Sequence, residues 1–155
     1  MAEIYEVGER FDHAFFAGTS CAFGVFDGVH AGHRYLLAQA RETAGRSGGK
    51  SVALTFDIDP DEVFHPDRLK KLMTNGERLA MLAATGVDAV AVLPFTPAFA
   101  SLSPEAFLEA TFDGTAPAYL HVGCDFRFGA RAAGTVGELA AWGAGAGCAV
   151  AAHDL

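Results

Sequence analysis

Residues 21–33 read CAFGVFDGVHAGH. A short, mostly apolar run (21–26) leads straight into a turn carrying Gly24, Gly28 and Gly32, with His30 and His33 three positions apart. The run does not alternate, so it suits a buried parallel strand better than a half-exposed one. Beyond the turn, Leu36, Leu37, Ala40 and Ala44 fall at helical spacings until the Gly48–Gly49 pair ends the pattern. Strand, glycine turn and helix in that order form the unit from which open α/β sheets are built.

The rest of the chain repeats the unit. Residues 51–56 (SVALTF) read as a second buried strand. A long connection, 57–73, carries Pro60, Pro66 and mixed charges, and loops of that length are more often functional or mobile than incidental. Thr74 and Glu77 have capping-box spacing ahead of an apolar stripe at Leu79, Leu82 and Ala83, which runs out at Gly86. Residues 87–93 (VDAVAVL) give a third strand, and Ser103-Pro104-Glu105 opens another helix with a cap, a proline and a first-turn acid. Residues 118–123 (AYLHVG) make a fourth strand, Thr135 and Glu138 repeat the capping box before Leu139 and Trp142, and 148–152 (CAVAA) make a fifth. Glycines weaken the last helix, at about 1 kcal/mol each in a helix interior. The alternation predicts a single α/β domain over 1–155, with an open, mostly parallel sheet of about five strands and right-handed crossovers. Ligands in such sheets collect at the carboxyl ends of strands. The first and fourth strands end in the polar loops FDGVHAGH and GCDFRFG, which predicts one shared site.

Composition narrows the partners. Hydrophobic residues make up 51% and charged residues 19%, as in a globular chain, and the formal net charge of −8 argues against broad nucleic-acid binding. A small phosphorylated ligand needs only local donors, which helix termini and a few basic side chains supply. No apolar run reaches the roughly 18 residues of a membrane span, and the opening MAEIYEVGERFDHAFF lacks a basic region followed by a long apolar stretch. A cytoplasmic setting without membrane contact is therefore expected. Cys21, Cys124 and Cys148 form neither an even set nor a zinc-spaced pair and read as small buried residues.

The turn itself admits three chemistries. Gly28 and Gly32 lack Cβ atoms, so a phosphate or base can approach the backbone closely. The helix N-terminus favours negative charge, and imidazoles there can donate to phosphate oxygens and stabilise a reacting phosphoryl group. Asp27, His30 and His33 are also the residue types of a zinc site, although three such crowded ligands need a fourth partner. The third reading leaves both histidines as surface loop residues.

Five motifs occur in order: GVFDGVHAGH, FDIDPDEVF, VLPFT, LSPEAFL and VGCDFRFG. Together they resemble the FMN adenylyltransferase (FAD synthetase) module of bacterial bifunctional riboflavin kinase/FAD synthetases, from about Phe23 to the C-terminus. The H-x-G-H element is shared with a wider nucleotidylyltransferase superfamily, including enzymes acting on nicotinamide mononucleotide, and the longer motifs select the flavin branch. The resemblance implies a Rossmann-like nucleotidylyltransferase fold and the reaction ATP + FMN → FAD + pyrophosphate with magnesium. It implies that His30 and His33 contact the ATP phosphates and stabilise the transition state. Gly24, Phe26, Asp27, Gly28 and Gly32 would shape the nucleotide pocket, and Gly123 and Asp125 would face the ribose or adenine. Phe56, Asp57, Pro60 and Phe64 would line the isoalloxazine, with Phe126, Arg127 and Phe128 adding apolar surface and a cation. Arg68, Lys70 and Lys71 either attract the FMN phosphate or form a solvated face. Magnesium prefers phosphate and water oxygens, so no dedicated metal cage is expected.

Two departures carry expectations of their own. Phe56-Asp57-Ile58-Asp59-Pro60 stands where the family usually reads F-D-P-H-P, and a carboxylate at Asp59 would repel phosphate if it faced the ligand. The chain stops at Leu155, with no counterpart of the family's I-S-S-T-R-like phosphate clamp and no riboflavin kinase domain. Losing one preorganised donor to a transition-state anion costs about 10²–10³ in rate. The alternative expectation is thus a catalytically weak nucleotide- or flavin-binding remnant that needs a partner. Sheet surface left bare at this end predicts homodimerisation or docking to another chain.

Overall fold

In the computed structural model, which describes residues 1–27, 31–64 and 73–155, the alternating pattern becomes one parallel sheet. Its strands are β1 (Glu3–Glu6), β2 (Ser20–Phe23), β3 (Ser51–Phe56), β4 (Ala89–Leu93), β5 (Tyr119–Gly123) and β6 (Ala149–His153). The order is β1-β4-β3-β2-β5-β6, and every pairing is parallel. The helices are α1 (Ala31–Ser47), α2 (Pro60–Phe64), α3 (Asn75–Ala83), α4 (Pro97–Ala100), α5 (Pro104–Phe112) and α6 (Val136–Ala146), with a 3₁₀ turn at His13–Phe16.

Among the described residues the sheet therefore has six strands rather than about five. The addition, β1, has the sequence EIYE and is exposed along its whole length. It pairs only with β4, in the register Glu3↔Ala89 to Glu6↔Val92, and so forms one edge. The first strand of the sequence reading ends at Phe23 instead of Phe26, because the chain turns there and Phe26 takes φ 58. The long connection after β3 contains α2, and its residues 65–72, with Arg68, Lys70 and Lys71, lie outside the described residues.

Two cores flank the sheet. On one face, Leu36, Leu37 and Ala40 of α1 and Leu82 and Ala83 of α3 pack on Ala22, Ala53, Val90 and Val92. On the other, Phe107, Leu108 and Phe112 of α5 and Leu139 of α6 pack on Cys21, Phe23, Val52, Leu54, Leu120 and Val122. Adjacent strand positions thus feed opposite cores, which is why β2–β5 are apolar without alternation. Despite its glycines, α6 spans Val136–Ala146. A Cβ at Gly143 would lie 2.6 Å from the Cys148 carbonyl oxygen, so glycine there lets the helix seat directly on β6.

Of the two capping-box spacings, Thr74/Glu77 forms the full box, whereas Thr135 supplies only the cap, accepting the Glu138 N–H at 3.2 Å. Thr74 Oγ1 accepts from the Glu77 N–H at 3.1 Å, and the Thr74 N–H donates back to Glu77 Oε1 at 3.3 Å. Replacing Thr74 by alanine removes the acceptor of the Glu77 N–H, leaving the backbone half of the box, and is expected to cost about 1 kcal/mol. A lowered urea midpoint with an unchanged slope checks this.

Candidate functional site

The chain first runs β2, β3, β4 in one direction across the sheet, then places β5 on the other side of β2. Connections diverge at that point, and the crevice outside the carboxyl ends of β2 and β5 is where open α/β sheets bind ligands. The registers Ser20↔Tyr119 and Ala22↔His121 bring the two exits level. The turn after β2 and the GCDFRFG loop after β5 are consequently neighbours.

On the β2 side, Gly24 continues the sheet by donating its N–H to the Leu54 carbonyl at 3.1 Å. Phe26 is buried in the left-handed region, and its ring meets the edge of the His33 ring at 5.4 Å and 78°. A side chain held at φ 58 is costly for a phenylalanine and persists only where packing fixes it. His33 thus stands at the start of α1, half-buried and held by Phe26, with the first-turn N–H groups of a 17-residue helix around it. Gly32 is half-buried beside it and Asp27 is exposed, while Gly28 and His30 lie outside the described residues.

On the β5 side, Gly123 is the last strand residue and Asp125 is exposed. A Cβ on Gly123 would sit 3.1 Å from Asp125 Oδ1 and 3.2 Å from a Leu155 methyl, so glycine lets the carboxylate fold back over the strand end. Arg127 is exposed, and Phe126 is half-buried with its ring 5.0 Å from Phe23. Cys124 is exposed, unlike the buried Cys21 and Cys148, whose thiols burial pushes up to about 12. Sequence reasoning placed all three inside. The turn after Gly123 puts Cys124 outside.

The residues assigned to the flavin divide. Phe56 and Phe128 are core residues: Phe56 packs on Phe23, Phe95, Phe99 and Phe107, and Phe128 packs on Phe107. Phe64 ends α2 with 55% of its surface exposed and its ring edge-on to Phe95 at 5.9 Å. Asp57 Oδ1 accepts the Phe95 N–H at 2.9 Å, tying the end of β3 to the loop after β4, and Pro60 starts α2. Asp59 is buried, and its charge acts on a cation that the sequence reading overlooked.

That cation is Arg78 of α3, 1% exposed. Its Nη1 donates to the Val25 carbonyl and to Thr55 Oγ1, both at 2.9 Å; Nη2 donates to the Phe56 carbonyl at 2.6 Å and to Asn75 Oδ1 at 3.4 Å. Burial pushes the guanidinium below its ordinary value, opposed by Asp59, Asp27, Glu62 and Asp57 in that order. The available signal was positional. Arg78 precedes Leu82 by one helical turn, so it shares the buried face of an amphipathic helix, where an arginine needs partners.

Thr43 and His121 were overlooked as well. The buried His121 on β5 lies with Nε2 3.1 Å from Thr43 Oγ1 and Nδ1 2.9 Å from His153 Nε2. Thr43 spends its only hydroxyl proton on the Gln39 carbonyl, so His121 Nε2–H donates to Thr43 and His121 Nδ1 accepts from His153 Nε2–H. His121 is held neutral, with its pKa lowered to about 4 by burial and then by His153 and Arg46.

Among the described residues, no three His, Cys, Asp or Glu side chains gather to hold a metal ion, and no helix is long and apolar enough to cross a membrane. The family profile described as FAD synthetase matches residues 13–154. The chain belongs to the FAD synthetase family.

Relatives of this FAD synthetase family chain are described as bifunctional riboflavin kinase/FMN adenylyltransferases. A bifunctional riboflavin kinase/FMN adenylyltransferase of Listeria monocytogenes is 34% identical over 126 residues, covering 80% of this chain and 40% of that protein. Proteins of the same name from Pseudomonas fluorescens and Escherichia coli K12 are each 36% identical, over 72% and 73% of this chain and 36% and 37% of their own lengths. The chain thus spans less than half of each of these three relatives. A crystal structure described as a macrolide-efflux protein from Streptococcus pneumoniae superposes with a TM-score of 0.74 at 23% identity, over 99% of this chain and 52% of that one. At that identity the likeness concerns the fold alone.

Proposed function

We propose that this domain is an FMN adenylyltransferase that joins ATP and FMN to give FAD and pyrophosphate. The observation that carries the reading is the adjacency of two loops at the sheet's switch point. The H-x-G-H turn after β2 and the GCDFRFG loop after β5 leave neighbouring parallel strands at the same end. A nucleotide across that crevice would have its phosphates at the α1 N-terminus and its ribose or adenine at Gly123 and Asp125. Flavin would lie on the β3 side, against Phe64 and the segment from Asp57 to Pro60, with Phe126 and Arg127 closing from β5.

An FMN phosphate oxygen attacks the α-phosphorus of ATP, the bond to the β-phosphate oxygen breaks, and pyrophosphate leaves. The enzyme forms no covalent intermediate. His30 and His33 donate to phosphate oxygens whose charge grows in the transition state, and Phe26 fixes the His33 ring in advance. Magnesium, if bound, would be held chiefly by the ATP phosphates and would offset their charge, with Asp27 the exposed carboxylate at the turn that could reach it. A cytoplasmic setting, where both substrates are made, belongs to the same proposal, as does pairing of a second copy along the free edge of β6.

Incubation with ATP, FMN and magnesium, with FAD and pyrophosphate followed separately, tests the reading. Equal yields of the two products are expected. Asp125→Ala is expected to weaken ATP binding and leave FMN binding unchanged, because a carboxylate accepting from ribose hydroxyls touches only the nucleotide. Binding of both substrates without product would sink the catalytic assignment.

A further inference from the structure

Arg78 touches neither crevice loop as a surface residue, yet it is hydrogen-bonded to parts of both proposed half-sites. Val25 belongs to the turn between β2 and α1, where ATP would bind. Thr55 and Phe56 close β3 immediately before the segment assigned to flavin. Thr55 Oγ1 also donates to the Val25 carbonyl at 3.2 Å, so guanidinium, hydroxyl and carbonyl form a closed triangle. Asn75 extends the connection by donating to Glu62 of α2 at 2.9 Å. The acids around the guanidinium come from both sides as well: Asp27 from the turn, and Asp57, Asp59 and Glu62 from the flavin segment.

A guanidinium suits this place because its planar fork aims several donors in fixed directions and stays charged when buried. A lysine offers one nitrogen and cannot span Val25, Thr55 and Phe56 together. We propose that Arg78 is a positioning residue that sets the spacing between the ATP turn and the flavin segment, so that its loss weakens both half-sites at once. The proposal rests on the adenylyltransferase reading for the identity of the two ligands. Asp59 then has a role of its own. In place of a phosphate-facing histidine, it supplies buried counter-charge to the residue that holds the loops.

The test uses Arg78→Lys in the full chain, with ATP and FMN titrated separately by calorimetry at a temperature where circular dichroism shows the variant folded. Both affinities are expected to fall together, each by about tenfold, because buried charged hydrogen bonds are lost on both sides. The turnover number is expected to fall by about 10²-fold through misplacement of the reacting groups. A variant that melts earlier but binds both ligands like the parent, or loses only one of them, overturns the proposal. If Arg78→Lys does not fold, Thr55→Val serves. It keeps shape, deletes the hydroxyl of the triangle, and is expected to weaken both ligands in the same sense; parental affinity for either overturns the proposal. A parent chain that binds both ligands but makes no FAD would sink the synthesis reading and leave the Arg78 test readable. A parent that binds neither ligand would sink both.

Discussion

His33→Ala is expected to slow FAD formation by about 10²–10³-fold, the cost of removing one preorganised donor to a transition-state anion. The fold should survive, because the imidazole is half-buried at a helix start, edge-on to the Phe26 ring, and belongs to neither buried core. ATP binding should weaken far less than turnover, since the donor matters most when charge builds on the α-phosphoryl oxygens. Single-turnover kinetics with saturating ATP and FMN separate the two effects. His30→Ala, in the same motif, is expected to behave alike. A His33→Ala protein that turns over at the parental rate would remove the turn from the chemistry.

Stability should depend on pH through His121. Its pKa lies at about 4 in the folded chain against 6.5 for an unperturbed histidine, so between those values the unfolded chain binds more protons. Stability therefore falls as pH drops from about 6.5 towards 4, and no further contribution comes from this group below that window. The expected loss is about 2 kcal/mol between pH 7 and pH 5, rising to about 3 kcal/mol by pH 4. Urea midpoints across that range measure it, with His121→Gln as the comparison because glutamine cannot titrate. The parent should lose more stability than the variant over the same interval, and equal losses would show that His121 is not the group responsible. Cause and geometry agree: protonating Nδ1 would turn the acceptor of the His153 N–H into a second donor facing it.

Local signals read well from the sequence, and long-range ones did not. Thr74, Ser103 and Thr135 each act on an N–H three residues away, so their caps were visible as spacing. Strands β2 to β5 were visible because burial on both faces leaves apolar runs. Strand β1 was not: EIYE is exposed, and only its pairing with β4 makes it a strand. The H-x-G-H turn and the DFRFG loop stood out by composition, and β2 and β5, the strands that precede them, are neighbours in the sheet. Arg78 escaped because the groups it joins are separated by up to 53 positions and gain meaning only when β2, β3 and α3 are assembled. Phe56 and Phe128 show the converse limit. A motif names an aromatic, but packing decides whether its ring faces ligand or core.

The pairing of β1 with β4 carries a consequence for the order of assembly. Glu3 meets Ala89 across a loop that contains β2 and β3, and the strand slots lie outside both. Closing so long a span is entropically late, and β4 offers its outer edge only after docking on β3. Until then the backbone of Glu3–Glu6 is unpaired and the outer edge of β4 is uncovered. Strand β1 is thus the last to find its seat on that flank, and pairing of the open β4 edge with another chain at this stage is the hazard built into the topology.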